Sequence, residues 1–215
     1  MGNTLTDALL VKISATGDTL WTRHFHSTGD QLLGYGVAEC QPGGFALSGA
    51  RHGNGGMNPC FVIRTDESGN ELWRQFFGGR PGDFGNDQAV VRALSDGAIV
   101  TYSNYRDNNW PLWVQQLMLT KWNANGDIVW QKKSVLGGYD VSGDFEVLQD
   151  GSFITCGALW GYANLTKFSS EGDSLWSRNY YVTTHPHYAY DVESTSDGGF
   201  IATGEAEQGA QDPHP

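Results

Sequence analysis

Short stretches of the chain alternate between apolar and polar residues, and clusters of turn residues separate them. Residues 35–40 alternate up to the turn Pro42–Gly44, and residues 45–49 return from it, so this segment is predicted to be a β-hairpin. Residues 60–64 are apolar on nearly both faces, the pattern of a strand between two neighbouring sheets. Residues 70–77 follow a Gly-containing turn as a fourth strand. The 3.6-residue periodicity of an amphipathic helix is absent from the sequence.

A five-residue motif of Gly, Asp or Asn, any residue, an aliphatic residue and Trp occurs four times. Its copies are Gly17–Trp21, Gly69–Trp73, Gly126–Trp130 and Gly172–Trp176. Before each Gly, at the same distance, stands a basic residue: Lys12, Arg64, Lys121 and Lys167. A second turn signature follows each copy: Pro42–Phe45, Asp96–Ile99, Asp150–Phe153 and Asp197–Phe200. A repeat of about 50 residues with two turns per unit predicts four strands per unit, as in a propeller blade.

We therefore predict an all-β chain, a β-propeller of four-stranded antiparallel blades with about four blades' worth of strands. The chain begins with the third and fourth strands of a blade, Ala8–Ile13 and Thr19–Phe25. It ends with a first and a second strand, Val192–Thr195 and Phe200–Gly204, and three complete blades lie between. The approximate repeat units are 1–33, 34–86, 87–140, 141–189 and 190–215. Residues 1–215 are then one domain whose half-blades close a four-bladed ring, or a fragment of a seven- or eight-bladed propeller.

The repeated residues have structural explanations. The motif Gly is expected to take a positive φ in the turn between the third and fourth strands. The Trp is expected to cover the joint between blades, with a sugar- or base-stacking surface as the alternative. The recurring base is expected to pair with a turn carboxylate or with carbonyl oxygens, and the alternative is a ring of positive charge that binds an anionic ligand.

Composition narrows the classes of partner. The chain has 215 residues, 29 of them Gly, and its formal net charge of −11 argues against nucleic acid and anionic membranes as partners. The three cysteines, Cys40, Cys60 and Cys156, have neither disulfide-framework nor metal-site spacing, and Cys156 is expected to be a small core residue. The sequence shows no signal peptide and no stretch of membrane-spanning length, so no membrane insertion is expected.

Candidate catalytic groups are few. The pairs His24 and His26, and His185 and His187, lack a third ligand at a suitable spacing, so no metal site is predicted. Asp144 and Asp191 occupy equivalent positions before first strands, where a carboxylate pair would suit a glycosidase or would cap the strand entrance. No nucleophile motif or cofactor fingerprint occurs, so we predict no catalytic residues, no cofactor and no enzymatic activity.

The best candidate binding surface is the end of the blades that carries exposed aromatic and polar residues. It comprises Tyr105, Arg106, Trp110, Trp160, Tyr162, His185, His187 and Tyr188. Aromatic rings beside polar groups suit contact with a glycan or a peptide, so the expected partner is a protein or carbohydrate ligand. The alternative is that several of these side chains simply pack over the blade ends.

The segments DALLVKISATGDTLW (Asp7–Trp21) and DVESTSDGGFIATGE (Asp191–Glu205) resemble the SBBP-type bacterial β-propeller repeat of large secreted Bacteroidetes-type proteins. This resemblance implies a non-enzymatic extracellular or cell-surface module for binding or spacing, and further blades or domains in a longer parent chain exported by type IX secretion. SATGDTLW (Ser14–Trp21) also resembles the tryptophan-docking repeat of quinoprotein propellers, although no quinone or calcium ligands can be mapped. The alternative function is therefore an enzyme of quinoprotein-like or glycan-cleaving propeller type.

Overall fold

The structure is a computed structural model, and it describes residues 6–53, 59–78, 89–105, 116–133, 141–181 and 187–207. The described residues form sixteen β-strands. No helix able to cross a membrane occurs among these residues. The chain is therefore all-β over the part that the structure describes.

Twelve of the strands form three four-stranded antiparallel sheets in which spatial order follows chain order. Blade 1 comprises β3 (Asp30–Glu39), β4 (Phe45–Gly53), β5 (Cys60–Thr65) and β6 (Glu71–Phe77). Blade 2 comprises β7 (Ala89–Ala93), β8 (Ile99–Tyr105), β9 (Gln116–Trp122) and β10 (Ile128–Lys133). Blade 3 comprises β11 (Val141–Val147), β12 (Phe153–Leu159), β13 (Tyr162–Phe168) and β14 (Ser174–Tyr180). This confirms the predicted fold class, a β-propeller of four-stranded antiparallel blades.

Two hairpins flank the three blades. The N-terminal half-blade consists of β1 (Ala8–Ile13) and β2 (Thr19–Phe25), and the C-terminal half-blade consists of β15 (His187–Ser194) and β16 (Phe200–Ala206). Each forms a two-stranded sheet of its own, and no ladder joins one half-blade to the other among the described residues. The half-blades therefore do not close a four-bladed ring in this structure.

The hydrophobic core lies between neighbouring sheets. In β5, Phe61 and Ile63 pack towards the N-terminal half-blade, whereas Val62 packs towards blade 2. All six residues of β5 are buried, which confirms the prediction of a strand sandwiched between sheets. All three cysteines are buried, and none of them forms a disulfide. Burial raises the pKa of the Cys156 thiol to about 12, so this group stays protonated at neutral pH.

The Gly and Trp residues of the motif pack against each other between neighbouring sheets. Each motif Gly has a positive φ, and an added Cβ at Gly69 would lie 2.9 Å from the ring of Trp21 in the preceding sheet. Gly126 lies in the same way against Trp73, whose indole Nε1 donates a hydrogen bond of 2.8 Å to the carbonyl of Ala124. Trp130 covers the Gly of the next motif, Gly172. The Trp thus seals the joint between blades, as the sequence predicts.

The recurring basic residues make contacts with other residues of the protein. Arg64 is buried and donates hydrogen bonds to the carbonyl oxygens of Gly43 and Phe45 in the hairpin turn of its own blade. Lys121 makes the equivalent contact as an ion pair with Asp96, at 3.2 Å. The ammonium of Lys12 lies 5.1 Å from the ring centroid of Phe45 in the next sheet. Structural pairing, rather than a ring of free positive charge, is therefore the arrangement observed for these three residues.

The carboxylates of the hairpin-turn aspartates make the free energy of unfolding depend on pH. A backbone hydrogen bond from Ala98 is the main cause that lowers the pKa of Asp96, and side-chain hydrogen bonds from Ser152 and Thr195 do the same for Asp150 and Asp197. Because folding lowers these pKa values below 3.8, the carboxylates contribute stability above that pH, and the contribution is lost as pH falls through the folded-state values.

We expect the free energy of unfolding to fall as the pH falls below about 4, as in acid denaturation generally. The triple variant Asp96→Asn, Asp150→Asn, Asp197→Asn should show a shallower fall, because its turns keep hydrogen-bonding groups that do not titrate. Urea unfolding at a series of pH values measures both slopes. Identical slopes would contradict this explanation.

Candidate functional site

Five of the eight predicted binding residues lie in the part of the chain that the structure describes. Arg106, Trp110 and His185 lie outside the described residues. Tyr105 ends β8 in blade 2, and the ammonium of Lys133 covers its ring, 3.7 Å from the ring centroid. Tyr105 is also partly buried against the core between blades 1 and 2. Its ring therefore has packing partners within blade 2.

Trp160 is the most exposed of the predicted binding residues that the structure describes. The connection between β12 and β13 consists only of Trp160 and Gly161, and both have a positive φ, of 57° and 77°. This matches the two-residue hairpin turn with two left-handed residues. Such a backbone is uncommon for any residue with a side chain, and Trp160 is the one described non-Gly residue that adopts it. The turn holds an indole that is 53% exposed at the end of blade 3.

Two tyrosines lie beside this turn. Tyr162 opens β13 directly after it, and its ring contacts that of Tyr181, with the two ring centroids 4.5 Å apart. Tyr162 is half-buried, whereas Tyr181 is 67% exposed, the highest value among the exposed large hydrophobic residues of the described chain. We call Trp160, Tyr162 and Tyr181 the aromatic surface. It presents three aromatic rings on adjacent segments at one end of blade 3.

The backbone of His187 is hydrogen-bonded to the turn that carries Trp160. Its backbone N–H donates a hydrogen bond of 2.8 Å to the carbonyl of Gly161, which ties the start of β15 to the Trp160 turn. His187 is 1% exposed, so its imidazole is a buried group, whereas the sequence analysis counted it among the exposed residues of the candidate binding surface. Tyr188 follows it, half-buried, with its ring parallel to that of Tyr190, 6.4 Å between centroids.

A groove runs beside these residues between β13 and β16. Its volume is about 380 Å³, and its lining includes Leu165, Ala202, Thr203 and Glu205 but none of the three rings of the aromatic surface. The carboxylate of Glu205 accepts a hydrogen bond from Tyr190, and this bond is the main cause that raises the pKa of Tyr190 to about 12. The groove therefore combines apolar strand residues with one acidic hydrogen-bond acceptor.

The carboxylate pair considered from the sequence is engaged in the fold. Asp144 receives two hydrogen bonds of 2.7 and 2.6 Å from Arg92 of blade 2, and it also accepts one of 2.7 Å from the N–H of Phe145. Asp191 accepts the equivalent bond, of 2.8 Å, from the N–H of Val192. Both carboxylates therefore cap the local backbone, and Asp144 additionally links two blades. Among the described residues no group of three or more His, Cys, Asp and Glu could hold a metal ion.

Sequence reasoning missed Tyr181 and Tyr190. Both are exposed, and each contacts a residue that the sequence singled out. The signal was present for Tyr181, because it follows directly on the fourth strand of blade 3, at the same end of the blade as the connection between β12 and β13. Tyr190 stands at a register shift in the pairing of β15 with β16, which strand alternation does not reveal.

No model of a known protein family matches the chain, and no curated protein matches it. Solved structures do match, 17 chains in all, and one is a GH43 endo-arabinanase from Bacillus licheniformis. That pair has 10% sequence identity and a TM-score of 0.34, with 85% of this chain and 60% of the arabinanase chain covered. The chain thus spans less than two thirds of the length of that structure. At this identity the likeness concerns the fold alone.

Two sequence-based statements change with these comparisons. The prediction of no enzymatic activity is wrong as an exclusion, because one of the solved structures that the chain matches is an enzyme, the GH43 endo-arabinanase. The likeness assigns no reaction or substrate to this chain. Membership of the SBBP-type family, and the secretion that it implied, gain no support, since no family model matches.

Proposed function

We propose that this β-propeller chain binds carbohydrate through the aromatic surface at the end of blade 3. The observation that carries the proposal is the exposed Trp160, held in a left-handed turn beside Tyr162 and Tyr181. An unusual backbone conformation that the surrounding structure maintains is a reason to look for function. Sugar rings have apolar faces that pack on aromatic rings, while their hydroxyls bind polar groups at the rim.

The aromatic surface also combines a large contact area with a low entropic cost of binding. Trp and Tyr offer large contact areas and lose little side-chain entropy on binding. The hairpin turn and the His187 hydrogen bond to Gly161 fix the position of Trp160 before any ligand arrives, which lowers the entropic cost of binding. The net charge of −11 favours neutral over anionic saccharides.

Titration of the whole chain with neutral oligosaccharides, followed by calorimetry, tests the proposal. We expect Trp160→Ala and Tyr181→Ala each to weaken binding about tenfold or more, as for central aromatic contacts in other interfaces. Tyr35→Ala is the matched control, because Tyr35 is an exposed aromatic residue on blade 1, with 43% of its surface accessible. Equal losses in all three variants, or no binding to any neutral saccharide, would overturn the proposal.

Chromatography of the same mixtures shows whether the bound saccharide is also cleaved. Asp144 and Asp191 are the carboxylates to substitute first if products appear. Loss of cleavage in Asp191→Asn, with binding retained, would assign a glycan-cleaving reaction to the chain. Binding without products would assign carbohydrate recognition.

A further inference from the structure

A cavity of about 180 Å³ lies between blades 2 and 3. Blade 2 contributes Tyr102, Leu117 and Leu119 to its wall, and blade 3 contributes Thr155 and Phe168. Both sheets have all four of their strands, so the cavity belongs to a joint between two complete blades. None of the three rings of the aromatic surface lines it, and the cavity is therefore separate from the proposed carbohydrate site.

The joint between blades 1 and 2 shows which side chain occupies the corresponding place there. Trp122 of blade 2 is the counterpart of Phe168 in blade 3, because each directly follows the recurring basic residue of its repeat. Each also pairs with the first residue of the second strand, Ile99 for Trp122 and Phe153 for Phe168. Trp122 packs against Phe77 of blade 1, and Phe168 packs in the core shared by blades 2 and 3. Blade 3 therefore has a phenyl ring where blade 2 has an indole.

The hydrogen-bond acceptor of that indole also has a counterpart in the cavity. The Nε1 of Trp122 donates a hydrogen bond of 3.0 Å to the hydroxyl of Thr101. Thr155 stands at the same position of its blade, is buried and lines the cavity. Its hydroxyl donates a bond of 3.3 Å to the carbonyl of Thr166, and a hydroxyl that donates keeps lone pairs that can accept. Phe168 has no N–H, so it cannot supply the donor that Thr101 receives.

The size of the cavity suits a single small aromatic molecule. On the wall that faces Phe168, Leu117 and Leu119 stand where blade 1 has the smaller Cys60 and Val62, and they occupy part of the space. About 180 Å³ nevertheless remains. An engineered apolar cavity of about 150 Å³ in another protein binds benzene, so the remaining volume is sufficient for one ring system.

We propose that this cavity binds a small aromatic molecule with one N–H or O–H donor, of about the size of indole or phenol. The ring packs beside Phe168, and its donor bonds the hydroxyl of Thr155, as Trp122 bonds Thr101 in the other joint. The lining residues Ser174 and Ser177 are exposed on β14, so the molecule enters between the fourth strands of blades 2 and 3. This site does not depend on carbohydrate binding by the aromatic surface.

Titration of the whole chain with indole, followed by ligand-observed NMR, tests this site. Benzofuran is the comparison ligand, because it has the same flat bicyclic shape but an oxygen atom in place of the N–H. We expect indole to bind about two- to tenfold more tightly than benzofuran, the effect of one hydrogen bond. Thr155→Val should abolish this preference. Thr101→Val is the matched control, because it makes the same change in the joint that Trp122 already fills, and the preference should remain.

Phe168→Trp provides a second test, because it places an indole of the chain itself in the cavity. This variant should lose indole binding and should melt at a higher temperature than the wild type, since filling a cavity stabilises a fold. Far-ultraviolet circular dichroism checks that each variant is folded. The proposal would be overturned by a wild-type chain that does not bind indole, or by equal indole affinities of the wild type and Phe168→Trp. A preference for indole that Thr155→Val leaves intact would also overturn it.

Discussion

Replacing Trp122 with alanine is expected to lower the free energy of unfolding by about 3–5 kcal/mol, the range for Trp or Phe truncated in a core. Trp122 ends β9 and is 2% exposed. Its ring packs edge-on against Phe77 of blade 1, 5.2 Å between centroids, and its Nε1 donates a hydrogen bond of 3.0 Å to Thr101. The substitution therefore leaves a cavity between two blades and an unsatisfied buried hydroxyl. Urea unfolding followed by circular dichroism measures the loss.

Two further variants separate the causes. Trp122→Phe keeps part of the ring contact but loses the Nε1 donor. Its free energy of unfolding should therefore lie between those of the wild type and the alanine variant. Trp160→Ala removes an indole that is 53% exposed, and its stability should change little, because surface substitutions usually stay within about 0.5 kcal/mol. A similar cost for Trp122→Ala and Trp160→Ala would show that the joint between blades 1 and 2 is not a tightly packed core.

Arg64→Ala is expected to cost about 3 kcal/mol, because a buried guanidinium bonds several carbonyls at once and hydrogen bonds to charged groups contribute roughly 1.5–3 kcal/mol. Arg64 is 6% exposed, and it donates to the carbonyl oxygens of Gly43, Phe45 and Thr65. Its removal leaves these acceptors without their donor, at the end of the pairing between β4 and β5 where Ala46 faces Arg64. Thermal and urea unfolding of the variant measure the effect.

Lys121→Ala provides the comparison for Arg64→Ala. Lys121 occupies the same register position in blade 2, but its partner Asp96 is 57% exposed, and exposed ion pairs are worth about 0–1 kcal/mol. Arg64→Lys should recover only part of the loss, because an ammonium cannot reproduce the planar fork of the guanidinium. If Lys121→Ala proved as costly as Arg64→Ala, the network of carbonyls around Arg64 would not be the source of the stability.

The architecture could be predicted because each of its causes is local. The turn glycines, the alternating strands and the spacing of the Trp residues recur in every unit, and short-range backbone preferences determine them. The start of β3 was less predictable. The sequence indicated a strand from Tyr35, whereas β3 begins at Asp30, whose carboxylate binds Arg51 of β4 at 2.5 Å. A partner so far along the chain leaves no trace in the alternation of apolar and polar residues.

The aromatic surface was only partly predictable for a similar reason. Trp160 and Tyr162 stood out because they are aromatic residues in a short connection. Their neighbour Tyr181 belongs to a different connection, and only the antiparallel pairing of β13 with β14 brings it to Tyr162. His187 is buried, and its backbone N–H binds the carbonyl of Gly161 in another connection, a contact that no spacing in the sequence reveals.

Because the strand register is the same in the compared blades, insertions at one end of a blade have a low cost in folding free energy. Ten residues connect β8 to β9, whereas two connect β12 to β13, and yet the strand pairing that follows is the same in both blades. The alignment of each blade is set at the opposite end, by the glycine turns, so a longer connection adds little beyond a slowly growing loop-closure entropy. New recognition segments can therefore be acquired in one blade while the rest of the scaffold folds as before.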